Sequence, residues 1–219
     1  EAGIGYIRIT QFGTQTYDEF LDALATLEED ELKGLILDLR NNPGGVLSAA
    51  VNIAGEYFAK GETVVYTKGK DSSQDKLYPA HTPVRDVDYL IVVLVNSGSA
   101  SASEIVAGAL QDIGRAKLVG TKTFGKGSVQ TIFQYRSGDA MRLTTAMFFT
   151  PGGRVIHKQG IQPDVVVPQT DDELRKLMLQ RRYLESMGDE AFIEKYGFEP
   201  MEDRQLEVAL ELIRKRSLL

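Results

Sequence analysis

The stretch best suited to chemistry is a cluster of small residues between an apolar strand and a helix. Residues 89–95 form a continuous apolar run typical of a strand buried on both faces, and apolar residues recur with helical spacing from residue 105. Ser99, Ser101 and Ser103 lie between them. The first turn of a helix presents unpaired backbone N–H groups at its positive end, which favours a nucleophile there. The sequence therefore predicts a nucleophilic serine at this turn and leaves the choice among the three open.

Lys126 is the candidate base for such a serine, which needs a neighbouring group to accept its proton. The chain has no cysteine and only two histidines, His81 and His157, both in polar segments. A lysine acts as a base near neutral pH only when desolvation lowers its pKa from about 10.4 to about 7 or 8. We expect apolar neighbours to bury Lys126, and Gln130 on the next strand to hold its amine by a hydrogen bond. The expected neighbours are Phe124, Val129 and Phe133.

Residues 120–126 resemble a phosphate-binding loop, but the motif is incomplete. The motif requires a serine or threonine directly after its lysine, and a helix after that. Here Gly127 follows Lys126, and residues 128–133 have the pattern of a strand. We therefore expect no nucleotide to bind this chain.

Composition excludes further classes of function. The formal net charge is −6 and no basic stripe is visible, which argues against nucleic acid as a partner. Without cysteine the chain has neither a disulfide nor a thiolate metal site, and two histidines leave little material for zinc. We therefore expect no metal and no cofactor.

The elements that must position these residues alternate between strand and helix. Strands are predicted at residues 5–9, 34–39, 63–66, 89–95, 117–120 and 165–167, and a hairpin at 128–135 and 140–150. Thr16 and Glu19 predict a capping box that opens a helix through residue 27. Further helices are predicted at residues 46–59, 105–114, 171–187, 190–196 and 202–215. This order predicts an α/β core over residues 1–169 and a helical segment over residues 170–219.

Four motifs, in order and spacing, resemble the carboxyl-terminal processing peptidases, also called tail-specific proteases. They are Asp-Leu-Arg-Asn-Asn-Pro-Gly-Gly at 38–45, Asn-Ser-Gly-Ser-Ala-Ser-Ala-Ser-Glu-Ile at 96–105, Thr-Phe-Gly-Lys-Gly-Ser-Val-Gln at 123–130 and Gly-Ile-Gln-Pro-Asp at 160–164. The resemblance implies a crotonase-like fold, with βα units and a β-hairpin followed by C-terminal helices. It also implies a serine endopeptidase that cleaves proteins near apolar C-terminal tails, usually outside the cytoplasm.

The same resemblance implies roles for individual residues. The family nucleophile lies 25 residues before the base lysine, which selects Ser101. Gln130 corresponds to the glutamine that orients the lysine. The oxyanion hole corresponds to the N–H of Ala102 together with a backbone amide of Gly44 or Gly45. A reaction through an acyl-enzyme follows, with activity that rises with pH as Lys126 loses its proton.

Three expectations concern the wider protein. Relatives usually carry a PDZ domain before this core, and we expect none in this chain. A rival hypothesis is therefore a non-catalytic peptide-binding module that is inactive without a PDZ partner, and a third is an acyl-CoA enzyme of the crotonase type. The C-terminal helices are expected to pack on the core or on a second subunit, so a homo-oligomer is one of two alternatives.

Overall fold

The computed structural model describes residues 3–29 and 31–216, and these residues form two β-sheets and six α-helices. The strands are β1 (Ile4–Arg8), β2 (Gly34–Asp38), β3 (Thr63–Gly69), β4 (Lys76–Pro79), β5 (Leu90–Val95), β6 (Ala116–Gly120), β7 (Ser128–Gln134), β8 (Ala140–Phe149) and β9 (Val165–Val166). The helices are α1 (Thr16–Glu28), α2 (Leu47–Gly55), α3 (Ala102–Asp112), α4 (Asp171–Met187), α5 (Asp189–Tyr196) and α6 (Arg204–Arg216). The α/β architecture expected from the sequence is confirmed.

A parallel sheet of five strands forms the centre of the fold, in the order β1-β2-β5-β6-β9. All five residues of β2 are buried, and β5 is buried apart from its first residue. Such continuous apolar strands are typical of a parallel sheet covered on both faces. The carboxyl ends of β2 and β5 are neighbours, so the turns that follow them, near residues 43–45 and 96–101, meet at one edge.

A second, antiparallel sheet has the order β4-β3-β8-β7. β4 pairs with β3 in an antiparallel hairpin. β7 and β8 form the predicted hairpin, whose residues 132–144 are exposed throughout.

Helices cover both faces of the parallel sheet. The larger apolar cluster packs helices α1, α2 and α3 against one face. α6 packs on the other face, where Ala209 and Ile213 contact the smaller cluster. A Cβ atom added to Gly34 would lie 2.2 Å from Ile213 Cγ2, so only glycine fits in β2 beneath this helix. The segment after residue 169 therefore shares the apolar core, while the domain boundary placed there stays a prediction.

One capping prediction is wrong. α1 begins at Thr16 with Gln15 as its N-cap, and no side chain caps this end. The Thr16 hydroxyl instead accepts a hydrogen bond from the N–H of Gly13, at 2.9 Å. The helix therefore starts one residue earlier than the proposed capping box allows.

No helix in residues 3–29 and 31–216 has both the length and the apolar character needed to cross a bilayer.

Candidate active site

Ser101 lies at the turn that joins β5 to α3. Its backbone has φ 57° and ψ −112°, outside the regions that a residue with a Cβ normally occupies. Such strain persists only where the surrounding structure imposes it, and it is found at nucleophiles that must project from a strand-to-helix turn. The sequence carried no signal for this conformation, because serine is not a residue that favours positive φ.

The other two serines of the turn are structural. Ser99 is fully buried, and its hydroxyl donates to the carbonyl of Leu39 at 2.8 Å. Ser103 is fully buried too, and its hydroxyl donates to the carbonyl of Asn42 at 2.9 Å. Only Ser101 is partly exposed. Ser99 and Ser103 thus use their hydroxyls in structural hydrogen bonds, and the choice of Ser101 as the nucleophile stays a prediction.

Gly44 and Gly45 bring the turn after β2 against Ser101. A Cβ atom on Gly44 would lie 2.8 Å from Ser101 Cβ and 3.0 Å from the backbone nitrogen of Ala102, so a side chain there would displace the serine. The two glycines have φ of 99° and 145°, values that L side chains rarely adopt. The close approach of the two turns thus depends on glycine at position 44.

The backbone N–H groups of Ala102 and Gly45 are available to a ligand. Neither donates a hydrogen bond to any residue in the described part of the chain. The N–H of Gly44, by contrast, donates to Asn42 Oδ1 at 2.9 Å. Of the three amides expected in an oxyanion hole, Ala102 and Gly45 are therefore free in this structure, and Gly44 provides close approach rather than a donor.

Glu104 connects the serine turn to the lysine loop, and sequence reasoning missed it. Its side chain is fully buried. Its carboxylate accepts four hydrogen bonds, from the backbone N–H of Ser101 (2.8 Å), the hydroxyl of Thr123 (2.6 Å), the N–H of Gly125 (2.7 Å) and the N–H of Lys126 (2.8 Å). The spacing Ser-x-x-Glu at 101–104 is a capping-box signal that could have identified this residue.

The expected burial of Lys126 is wrong. The residue is exposed, and two of the three side chains expected to cover it, Phe124 and Phe133, are themselves 68% and 43% exposed. Phe133 lies in the part of the β7–β8 hairpin, residues 132–144, that is exposed throughout, so it provides no cover. The backbone of Lys126 is nevertheless fixed beside Ser101, because both residues donate an N–H to Glu104.

Gln130 does not hold the lysine in this structure. Its Oε1 atom accepts a hydrogen bond from Arg142 across the hairpin, at 3.2 Å. The residue is exposed to solvent. The pairing of β7 with β8 shifts register between Val129 and Gln130, which the strand pattern did not indicate. The role of Gln130 stays a prediction.

The two histidines differ in their exposure to solvent and in their distance from the lysine loop. His81 is exposed on the segment after β4. His157 lies beside the lysine loop, since a Cβ on Gly127 would be 2.4 Å from its backbone nitrogen, and its Nδ1 atom is buried without a hydrogen-bond partner. No group of three or more histidine, aspartate or glutamate side chains in the described residues could hold a metal ion.

A buried ion network joins the C-terminal helices to the strand that leads into the glycine turn. Arg40 is 2% exposed, and it contacts Asp38 at 2.7 Å and Asp203 at 2.8 Å. Arg181 of α4 contacts the same two carboxylates. Tyr6 donates to Asp38 at 2.6 Å, and burial together with this carboxylate raises the pKa of Tyr6 to about 12.

The network keeps both carboxylates ionised. Burial alone would raise the pKa of Asp38, but the hydrogen bonds and charge of Arg40 outweigh it and hold this pKa below its ordinary value. Asp203 behaves in the same way, because burial is again outweighed by Arg40 and by the charge of Arg181. Arg181 and Asp203, in the C-terminal part of the chain, therefore hold Asp38 and Arg40 in place just before the glycine turn.

Comparisons with known proteins find relatives that are named as processing proteases. A carboxy-terminal-processing protease of Bartonella bacilliformis is 40% identical over 232 residues, which cover 98% of this chain and 52% of that protein. A carboxyl-terminal-processing protease of Synechocystis sp. is 49% identical over 166 residues, which cover 76% of this chain and 38% of that protein. The solved photosystem II D1 C-terminal processing protease superimposes with a TM-score of 0.69 at 37% identity, over 78% of this chain and 45% of that chain. The chain thus spans about half the length, or less, of these relatives.

The sequence model of peptidase family S41 matches residues 3–167. This range contains the serine turn, the glycine turn, the lysine loop and the buried glutamate that joins them. Because the match covers most of the chain, and because relatives of the same kind align beyond it, the protein belongs to peptidase family S41.

Proposed function

We propose that this chain is the catalytic part of a serine endopeptidase that cleaves proteins near their C-terminal tails. Ser101 is the nucleophile, Lys126 is the base, and the N–H groups of Ala102 and Gly45 bind the oxyanion. The observation that carries the proposal is the strained Ser101 turn, flanked by two free amides and tied through Glu104 to the backbone of Lys126. The apolar tail preference and an extracytoplasmic location belong to the proposal as well.

The reaction proceeds through an acyl-enzyme. The Ser101 oxygen bonds to the scissile carbonyl carbon while its proton passes to neutral Lys126. The carbon–nitrogen bond then breaks, and Lys126 returns the proton to the leaving amine. The same lysine then takes a proton from a water molecule, whose oxygen bonds to the ester carbon. The bond between that carbon and the Ser101 oxygen breaks, the lysine returns the proton to Ser101, and the new carboxyl end is released. Each oxyanion donor contributes about 3 kcal/mol to stabilising the transition state.

The exposed position of Lys126 defines what must change for catalysis. Its backbone is already held by Glu104, so the reactive arrangement requires the lysine amine to contact Ser101 and water to be excluded around it. Hydrogen bonds at a catalytic site often tighten only when substrate is bound. A bound peptide that covers the lysine would provide such exclusion.

The test is cleavage of an unstructured protein that ends in apolar residues. Wild-type chain is incubated with it beside the variants Ser101→Ala and Lys126→Ala, and products are identified by mass spectrometry. We expect cleavage near the C-terminal end by the wild type only. Cleavage by either variant at the wild-type rate would overturn the assignment of that residue.

The pH dependence tests the lysine separately. Because only neutral lysine accepts a proton, kcat/KM should rise with pH until the lysine is deprotonated. A flat profile from mildly acidic to alkaline pH would contradict a lysine base.

A second candidate is the non-catalytic peptide-binding module named above. Since Lys126 is exposed and Gln130 is bonded to Arg142, the chain alone would serve as a peptide-binding module if its base never aligns. In that case the wild type and Ser101→Ala would bind the apolar-tailed protein equally, and neither would cleave it. Addition of a PDZ domain from a relative would then be the next measurement.

A further inference from the structure

Asn42 lies fully buried between the glycine turn and the serine turn. Its side chain donates from Nδ2 to the carbonyl of Ile9 at 2.7 Å and accepts at Oδ1 from the N–H of Gly44 at 2.9 Å. Its main-chain carbonyl accepts from the N–H of Ala100 at 3.0 Å and from the hydroxyl of Ser103 at 2.9 Å. One residue is therefore bonded to the chain after β1, to the glycine turn and to the serine turn.

On the serine side, the main-chain carbonyl of Asn42 holds the turn at two points. Ala100 and Ser103, which donate to it, directly flank Ser101 and Ala102 in the chain. The candidate nucleophile and one oxyanion donor are thus fixed between two hydrogen bonds to the same oxygen atom. Both bonds use the main chain of Asn42, so a change of its side chain would leave them in place.

On the glycine side, the side chain of Asn42 holds one end of Gly44. The N–H of Gly44 is bonded to Asn42 Oδ1, and the carbonyl of Gly44 accepts from the N–H of Phe12 at 3.0 Å. In a planar trans peptide the N–H points opposite to the carbonyl, so the N–H of Gly45 points away from Phe12. Without the bond to Oδ1, the conformational freedom of glycine would let the Gly45 N–H turn from this direction.

We propose that Asn42 is a positioning residue that fixes the Gly45 N–H against the Ala102 N–H, so that both donors reach one oxyanion. The inference rests on the proposed function and adds a residue that is buried behind the reacting atoms. The donors of an oxyanion hole must lie about 2.7–3.1 Å from the oxygen, and loss of one donor lowers kcat about 100- to 1000-fold. Asparagine suits this position because its carboxamide both donates and accepts.

The variant Asn42→Ala tests the inference by hydrolysis of a fluorogenic peptide that ends in apolar residues. We expect kcat to fall about 100-fold while KM changes less than about 3-fold, because the oxyanion forms only in the transition state. An unchanged kcat in an Asn42→Ala protein that is folded by circular dichroism would overturn the inference.

The matched control is Gln180→Ala in α4. The Gln180 carboxamide also donates to a main-chain carbonyl and accepts from a main-chain N–H, both of Met201, at 3.1 and 2.9 Å. Its loss removes the same kinds of hydrogen bond from the C-terminal helices, so kcat and KM should match the wild type.

The variant Asn42→Ser separates positioning from the loss of volume. Serine and alanine leave cavities of similar size, but a serine hydroxyl can accept from the N–H two residues ahead, as Asn42 Oδ1 does. We therefore expect Asn42→Ser to have a kcat about 10-fold above that of Asn42→Ala, yet below the wild type because the bond to Ile9 is lost. Equal kcat values in the two variants would show that Asn42 only fills space. If Asn42→Ala does not fold, a wild-type kcat in Asn42→Ser would overturn the inference.

The amide of Gly45 provides a readout that does not need catalysis. In proton–nitrogen correlation NMR spectra, the Gly45 resonance should shift in Asn42→Ala far more than the Ala102 resonance, and neither should shift in Gln180→Ala. If the wild type cleaves nothing but Gly45 shifts in this way, the peptidase proposal fails and the positioning by Asn42 stands. If the wild type cleaves the peptide but Asn42→Ala changes neither the Gly45 resonance nor kcat, the inference fails.

Discussion

Ser101 is held in a conformation that a serine does not favour, and the surrounding contacts explain why. The glycine turn lies against its Cβ, and its backbone N–H is drawn to Glu104. A residue with φ above zero costs about 1–3 kcal/mol unless it is glycine. The strain is thus a property of the backbone at position 101, independent of the hydroxyl.

A comparison of two inactive variants should reveal this strain. Ser101→Gly relieves the unfavourable φ, although glycine also loses more conformational freedom on folding, so we expect it to exceed Ser101→Ala in stability by about 1 kcal/mol. Urea denaturation measures the difference, and activity should be lost in both. Equal stability of the two variants would show that position 101 is unstrained.

Glu104 should act as a positioning residue. Glu104→Gln replaces one acceptor oxygen by an NH₂ group that faces at least one backbone N–H donor, so at least one hydrogen bond is lost and its donor is left without a partner. We expect the free energy of unfolding to fall by about 3 kcal/mol. Displacement of the lysine loop should lower kcat about 100-fold while KM changes little.

The control for this variant is Glu207→Gln, an exposed glutamate in the first turn of α6. It should match the wild type in kcat and in stability. If Glu104→Gln is folded by circular dichroism and retains the wild-type kcat, Glu104 only stabilises the fold.

At the scale of elements, the buried network fastens α4 and the start of α6 to the end of β2. Because its carboxylates have lowered pKa values in the folded state, their contribution to stability is present above their unfolded pKa of about 4. That contribution is lost as the pH falls through the lower folded values. Acid should therefore loosen the same contacts that anchor the glycine turn.

Asp203→Asn tests this pH dependence. It removes one carboxylate from Arg40 and Arg181 while Asp38 remains, so we expect a loss of about 1–3 kcal/mol at pH 7. Between pH 5 and pH 3 the wild type should lose stability more steeply than the variant, as measured by denaturant titration. Asp172→Asn, in an exposed pair on α4, should follow the wild-type curve. Parallel curves for wild type and Asp203→Asn would contradict the role of the network.

Local patterns predicted the elements well, and contacts between distant residues were not predictable from them. The bounds of α4 at Asp171–Met187 follow from a capping box and apolar spacing, both readable in sequence. Ser101 and the two glycines were proposed from motifs, and their positions in turns could be predicted because turns and helix starts have local signals. The exposure of Lys126 depends on which distant residues pack around its loop, and the pairing of Arg40 with Asp203 joins residues far apart in the chain, so neither has a local signal.

At the scale of the whole molecule, α6 is the helix that covers the second face of the parallel sheet. Its removal would expose the apolar side chains that it covers, which include Ile36, Val92, Leu94 and Val119. The proposed homo-oligomer stays a prediction, and it must use surfaces other than this one, because the apolar face of α6 is already occupied.

Truncation tests this dependence. A chain that ends at residue 169 should aggregate or lack a cooperative thermal transition, since a large apolar face becomes exposed. The point variant Ile213→Ala should lower the free energy of unfolding by about 2–5 kcal/mol, because Ile213 is 1% exposed and fills the space above Gly34. Ile193→Ala, at a side chain that is 37% exposed, should have a small effect. Cooperative unfolding of the truncated chain would instead establish residues 1–169 as an independent domain.

The four hydrogen bonds that Glu104 accepts should also limit local opening of the loop that carries Lys126. Gly125 and Lys126 belong to a loop with exposed side chains, and such loops normally exchange their amide protons with solvent rapidly. Here those protons are bound to a buried carboxylate, and any opening of the loop would leave that charge without donors. Amide exchange in this loop should therefore be as slow as in α3, so that the reactive corner of the protein behaves as part of its rigid interior.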